Sequence, residues 1–248
     1  MNIHQKKLLS SLTLKTLVLT LFLGLSTIYL SRNTFAENIT PEIVPGTTNN
    51  TGGGTRGTGC LSENQKPLTP LIPKKNNKQK LTLTSHPTIY IYVPETKAET
   101  GNFILKDSSQ KNVVYEDIIS ISNSPGIIGI KIPTDQPGLK VSTNYNWTFN
   151  LICTTPIPKN VVVLVEGSIQ RVNPSPDLTI KLKQTPENEH WLLYSNAGIW
   201  YEALVNLAEQ IHSNQSDTIL TSKWQKLLNL AGLNEVATEP LRQQDTED

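Results

Sequence analysis

The sequence predicts a mostly β fold with α: an antiparallel, immunoglobulin-like β-sandwich of about seven strands, followed by a C-terminal pair of amphipathic helices. Three observations carry this expectation. From Leu81 onward, short apolar runs rich in β-branched and aromatic residues are parted by Gly, Pro, Asp and Ser. The run "NYNWTFNLIC" alternates strictly, with Tyr145, Trp147, Phe149, Leu151 and Cys153 on one face and Asn146, Thr148 and Asn150 on the other. After His190 the apolar spacing lengthens to that of a helix. Helical patterns between the strands are missing, which argues against a doubly wound parallel sheet.

The N-terminus reads as a targeting segment. Lys6 and Lys7 precede the apolar run "TLVLTLFLGLSTIYL", and Thr34 and Ala36 occupy the small-residue positions of an export cleavage site. Cleavage is expected after Ala36, giving residues 1–36 as signal peptide and a periplasmic or secreted chain. An uncleaved anchor is the rival reading. The run of about 15 residues is short of the ~20 that span a bilayer. Removing Lys6, Lys7, Lys15 and Arg32, with no acid lost, turns 22 basic and 21 acidic side chains into 18 and 21, a net of −3. That balance leaves no electrostatic footprint for nucleic acid. The 212 residues from Glu37 to Asp248 are enough for one or two domains with a real core.

Residues 37–60 are rich in Thr, Asn, Gly and Pro and read as a flexible leader. Residues 61–190 hold the sandwich and its lead-in, in which Leu68, Leu71 and Ile72 form an apolar knot. The strand runs are "LTLTSHPTIYIYVP", "NFILKD", "VVYEDIISIS", "GIIGIKIP", "NYNWTFNLIC" and "VVVLVEGSIQRV", with "LTIKLK" as a further edge strand. The glycine of "EGS", Gly167, reads as a bulge. Residues 191–241 carry the helical pair. Ile199, Trp200, Ala203, Leu204, Leu207, Ala208 and Ile211 form one stripe, with Asn196 as its N-cap. Leu220, Trp224, Leu227, Leu228 and Ala231 form the other, with Ser222 and Gln225 as a capping box and Gly232 as the terminator. Neither helix can bury its stripe alone, so the pair is expected to pack on the sandwich. Residues 242–248 read as a solvated tail.

Gly52, Gly54 and Gly57 satisfy the G-x-G-x-x-G spacing of dinucleotide loops. Such a loop works only between a strand and a helix whose N-terminus meets the pyrophosphate. Here "PEIVPGTTNN" precedes it and "LSENQKPLTP" follows, and Thr58 stands where a P-loop requires Lys. The plainer reading is a flexible stretch delivering Cys60 to a partner. Cys60 and Cys153 both fall in the exported part, and two thiols in an oxidising compartment favour a disulfide over a metal site. Two unbridged buried thiols are the alternative.

The run "GGGTRGTGC" ahead of "LTLTSHPTIYIYVPE", followed by "SPGIIGIKIP", "YNWTFNLIC", "VEGSIQRV" and "GIWYEALVNLAE", resembles the bacterial domain-of-unknown-function family 928. The resemblance covers about Gly52 to Leu241. It implies an exported protein with a glycine-arginine lead-in, two cysteines and a helical C-terminal part. It implies no activity, cofactor or catalytic residue. Cys60, Cys153 and the segment around Trp200 are the structural features it carries over.

Candidates for chemistry are sparse. A hydrolytic triad needs Ser or Cys beside His and an acid, and the exported part offers only His86, His190 and His212 and no G-x-S-x-G elbow. Glu166 is the one acid inside a strongly apolar strand. It reads as a sheet-edge residue paired with Lys or Arg, or else as a buried functional acid. Trp200 and Tyr201 read as a helix anchor or as an exposed aromatic recognition edge. No catalytic, cofactor-binding or metal residue is assigned, and no cofactor is expected. The favoured function is an exported, non-catalytic module that binds another envelope or secreted protein, touching the membrane only through an uncleaved signal segment. The alternative is an envelope domain that binds or hydrolyses glycans or peptides through Glu166 or the Trp200 region.

Overall fold

The computed structural model describes residues 42–45, 60–61, 65–74, 80–122, 124–154 and 160–242. The expected signal peptide, the glycine loop and residues 243–248 of the expected tail lie outside the described residues, whereas Arg242, counted in that tail, is docked: its N–H donates to Ile127 O at 2.8 Å and its Nε to Pro125 O at 3.1 Å. The chain from Pro41 onward is one compact unit, mostly β with C-terminal helices. Its strands are β1 (Glu42–Pro45), β2 (Thr69–Pro70), β3 (Leu81–Thr82), β4 (Thr88–Val93), β5 (Thr100–Asp107), β6 (Val113–Ser120), β7 (Gly126–Lys131), β8 (Asn144–Thr154) and β9 (Asn160–Arg171).

These form two unequal sheets, the larger of mixed pairing, with more strands than the antiparallel sandwich of about seven that the sequence predicts. The larger sheet has six strands in the order β1-β9-β8-β5-β6, with β3 also against β9. The smaller has three, β2-β4-β7. The β5–β6 and β8–β9 pairs are antiparallel hairpin neighbours, whereas β1 and β3 run parallel to β9 at its two ends. Alternation decides the buried face of the larger sheet. Phe103 and Leu105 of β5, Trp147, Phe149 and Leu151 of β8, and Val163, Val165 and Ile169 of β9 all point inward. They meet Ile89, Ile91 and Val93 of β4 and Ile130 of β7 in one continuous core.

The smaller sheet is covered on both sides, which is why β4 is buried along nearly its whole length. Ile89 and Ile91 face the larger sheet, and Tyr90 and Tyr92 face a second core built by the helices. The helices are α1 (Pro176–Gln184), α2 (His190–Ala197), α3 (Trp200–Ser213) and α4 (Thr218–Leu230), with a 3-10 turn at Glu187–Glu189. The second core joins Tyr90, Tyr92 and Ile127 to Trp200, Leu204 and Leu207 of α3 and Trp224, Leu227 and Leu228 of α4. Each such buried Leu stabilises the fold by about 1.5–3 kcal/mol. The result is three layers: large sheet, small sheet, helices.

Four helices, not two, follow the sheets, and three local expectations change with them. "LTIKLK" lies inside α1 rather than on a sheet edge. Ser175 caps that helix through a 3.1 Å bond from the Leu178 N–H, Pro176 opens it, and Ile180 stays exposed. Asn196 sits inside α2 and is not the cap of α3. The cap of α4 is Asp217, whose carboxylate accepts from Ile219 N at 2.8 Å and Leu220 N at 3.3 Å, while the Ser222 hydroxyl donates to Thr218 O within the helix. Gly198 and Gly232, at φ 76° and 78°, end α2 and α4. In both cases the glycine and the next residue return N–H bonds to the last turn, a conformation that L side chains resist.

Candidate functional site

Cys60 and Cys153 are bridged, with their Cα atoms 5.3 Å apart. The bridge lies in the sandwich core, with the two residues 0% and 2% exposed. It ties the lead-in to the end of β8. The Cys60 carbonyl accepts from the Thr96 hydroxyl at 2.9 Å and from Lys97 N at 3.1 Å, fixing the loop after β4 as well.

The aromatic pair at the start of α3 is internal. Trp200 is 2% exposed and donates its indole N–H to Leu71 O at 2.7 Å. Tyr201 is 1% exposed and belongs to the core between the sheets. Its hydroxyl donates to Ser168 O at 3.1 Å and accepts from Trp147 Nε1 at 3.3 Å. Successive helix positions point about 100° apart, so Trp200 enters the helical core while Tyr201 enters the sandwich core. An exposed aromatic recognition edge is therefore not formed. Burial raises the Tyr201 phenol well above its ordinary value.

Gly167 belongs to the same assembly. The β8–β9 register runs unbroken from Asn144↔Gln170 to Thr154↔Asn160, so Gly167 is no bulge. It pairs with Trp147, whose indole lies over it, and a Cβ at Gly167 would stand 2.5 Å from Trp147 Cε2. The missing side chain is what lets the largest residue of the core lie flat on the sheet.

Next to Tyr201, Glu202 turns back to the larger sheet. Its Oε1 accepts from the Thr82 hydroxyl at 2.7 Å, Leu83 N at 2.7 Å and Thr84 N at 3.1 Å. Its Oε2 is buried without a partner among the described residues. Burial pushes this carboxyl above the ordinary glutamate range, opposed by the bonds from Thr82, Leu83 and Thr84. From the other side Arg171 donates to Leu83 O at 3.3 Å and Leu139 O at 2.8 Å. The junction holds α3, β3 and the end of β9 together. Glu202 went unread in the sequence because its neighbours on the helix give no hint that the β3 loop would reach it.

His86 and His190 are engaged by backbone carbonyls, and His212 sits in the last turn of α3. His86 Nε2 donates to Gln136 O at 3.0 Å, which leaves Nδ1 to accept from the Ser85 hydroxyl at 2.9 Å. His190 Nε2 donates to Leu182 O and Thr185 O, each at 2.9 Å, closing the end of α1. Glu166 is exposed on the outer side of β9, opposite Thr148, and no ion pair joins it among the described residues.

Two shallow grooves mark the helical layer. One, of about 480 Å³, lies between Glu187, Asn206, Glu209, Asp217 and Lys223. The other, of about 290 Å³, has Trp224, His212, Gln225 and Thr238 on its walls, and Glu239 there is ion-paired with Lys66. Neither contains Glu166, Glu202 or Trp200. Among the described residues no group of three or more His, Cys, Asp or Glu side chains could hold a metal ion, and no helix is long and apolar enough to cross a membrane.

The outer face of the larger sheet is open among the described residues, since the helices pack on the smaller one. Four strands present it in register. One cross-strand row reads Glu116–Ile104–Thr148–Glu166, and the next reads Ile118–Asn102–Asn150–Leu164. Ile118, Val113 and Ile152 are 56%, 51% and 40% exposed. Val113 reaches this face because the register shifts at Leu105/Lys106, placing it opposite Lys106.

A family model, Domain of Unknown Function (DUF928), matches residues 51–241, and the chain belongs to that family. No curated protein and no solved structure matches the chain.

Proposed function

We propose that this family member is an exported, non-catalytic module that binds another protein of the cell envelope through the outer face of its larger sheet. The observation that carries the reading is that face itself: four strands wide, clear of the helices, with Ile118, Val113 and Ile152 exposed upon it. All three share one face, and apolar surface left exposed on a folded chain can serve as an interaction surface. Support for a non-catalytic role is local. His86 and His190 are bonded to backbone carbonyls, and Glu166 stands in solvent. The glycan or peptide alternative required a pocket around Glu166 or the Trp200 region. Glu166 lies in neither described groove, and Trp200 is core.

Support for export comes from the buried Cys60–Cys153 bridge, which persists in oxidising compartments. A photo-cross-linking residue at Ile118 or Ile152, in chains expressed in the exporting cell, tests the reading. Discrete protein adducts from these positions, absent when the probe replaces exposed Ile219 of α4, are expected. Adducts from Ile219 alone would overturn it. N-terminal sequencing of the protein recovered from the envelope should begin at Glu37.

A further inference from the structure

We propose that the protein docked on this sheet face is basic: it presents two Lys or Arg side chains that meet Glu116 and Glu166, with apolar side chains against Ile118, Val113 and Ile152. The inference rests on the reading above and adds the chemistry of the partner. Glu116 and Glu166 sit at opposite ends of one cross-strand row. Three strand spacings separate them, about 14 Å at ~4.8 Å each. Both are exposed, and neither takes part in an ion pair among the described residues. Glu116 accepts one bond, 3.0 Å from the neutral amide of Asn102. Lys106 is the one base among the outward residues of β5, β6 and β8 and the described outward residues of β9, and it is not bonded to either acid.

The edge of the same sheet carries a third acid. Asp117 of β6 points to the inner side, opposite Phe103, yet is exposed, because β6 is the outermost strand. It accepts the Tyr115 hydroxyl at 2.8 Å. An inward-pointing charge on an edge strand, next to a bulge, blocks the addition of another strand. A partner is thus directed to the face and away from the edge. A second copy of this chain is disfavoured on the face as well. Stacking two such faces would bring four exposed carboxylates together against two lysines, whereas a basic surface removes the repulsion.

The test uses the full chain with benzoylphenylalanine at Ile118, irradiated in the exporting cell and again after extraction at low and high salt. The expected result is an adduct with a protein other than this chain. Its yield should fall about tenfold in Glu116→Lys/Glu166→Lys, fall less in Glu116→Gln/Glu166→Gln, and decline as salt shortens the screening length from about 14 Å to about 4 Å. Melting temperatures of both variants should match the parent, since the residues are exposed. An adduct that ignores charge reversal and salt keeps the docking face and overturns the basic partner. An adduct consisting of two copies of this chain overturns the proposal in favour of a dimer. Absence of any adduct from Ile118 and Ile152 overturns the docking face itself.

Discussion

Gly167→Ala separates the structural account from general expectation by its sign. A glycine in a regular strand ordinarily gains about 0.5–1 kcal/mol on replacement by alanine, because the unfolded chain loses freedom. Here the new Cβ would stand 2.5 Å from Cε2 and 2.9 Å from Nε1 of Trp147, with Cζ2 closer still. The indole cannot yield cheaply: Trp147 is 0% exposed, stacks on Phe103 at 6.2 Å between ring centroids, and holds Tyr201 through Nε1. Overpacking of this kind costs about 1–3 kcal/mol. Displacing Nε1 from Tyr201 adds about 1–2 kcal/mol for a buried donor left unpaired. After the entropic gain the net is about 2–4 kcal/mol of destabilisation. Urea unfolding of the oxidised protein should show a lower midpoint at unchanged slope. The melting temperature should fall by very roughly 5–15 °C for a chain of this size. In a Trp147→Phe background the shorter ring clears the site, so the cost of Gly167→Ala should shrink by at least about 1 kcal/mol. Equal or greater stability of the single variant, or the same cost in both backgrounds, would refute the claim that Gly167 exists to seat the indole.

Glu202→Ala should cost at least about 2 kcal/mol in urea unfolding, because it strips acceptors from the Leu83 and Thr84 N–H groups and the Thr82 hydroxyl. Glu202→Gln keeps an acceptor and should be far milder at neutral pH. Burial raises the carboxyl in the folded state, so its contribution is fully present below the unfolded value near 4.3 and is lost as pH rises through the folded value. Stability of the parent relative to Glu202→Gln should therefore decline from acid toward neutral pH, and a flat difference would contradict the burial. Reducing the Cys60–Cys153 bridge, which spans 93 positions, frees a loop worth about 4–5 kcal/mol in the chain-entropy account. Differential scanning calorimetry should show a fall of about 10 °C or more, and a shift of a degree or two would mean that the bridge constrains little. Asp117→Val removes the charge from the edge of β6, and light scattering should then show concentration-dependent association absent from the parent.

The parts of the fold legible in the sequence were those governed by local pattern. Alternation in Asn144–Thr154 gave the inner face of β8 residue by residue, since neighbouring strand positions point to opposite sides whatever lies across from them. The stripes of α3 and α4 and the stop at Gly232 were equally local. Failures came where two signals competed at short range. "LTIKLK" alternates like a strand, but Ser175 and Pro176 just upstream make a helix start, and the cap outweighed six residues of period. Asn196, a residue type favoured at caps, lies instead inside a separate short helix that Gly198 ends two residues on.

At the level of function, the sequence by itself determined that Cys60 and Cys153 would be bridged or lie buried and unbridged, and that Trp200 would anchor a helix or edge a site. It also determined which residues of each strand share a face. Only the tertiary structure chose among these. It showed that Trp200 and Tyr201 enter different cores, that Glu202 reaches the β3 loop 118 to 120 positions away, and that Gly167 answers Trp147 across a strand pair. It also left Ile118, Val113 and Ile152 exposed on the outer face of the larger sheet. The physical reason is that periodicity fixes the direction of a side chain relative to its own backbone, whereas burial depends on which distant layer covers that direction.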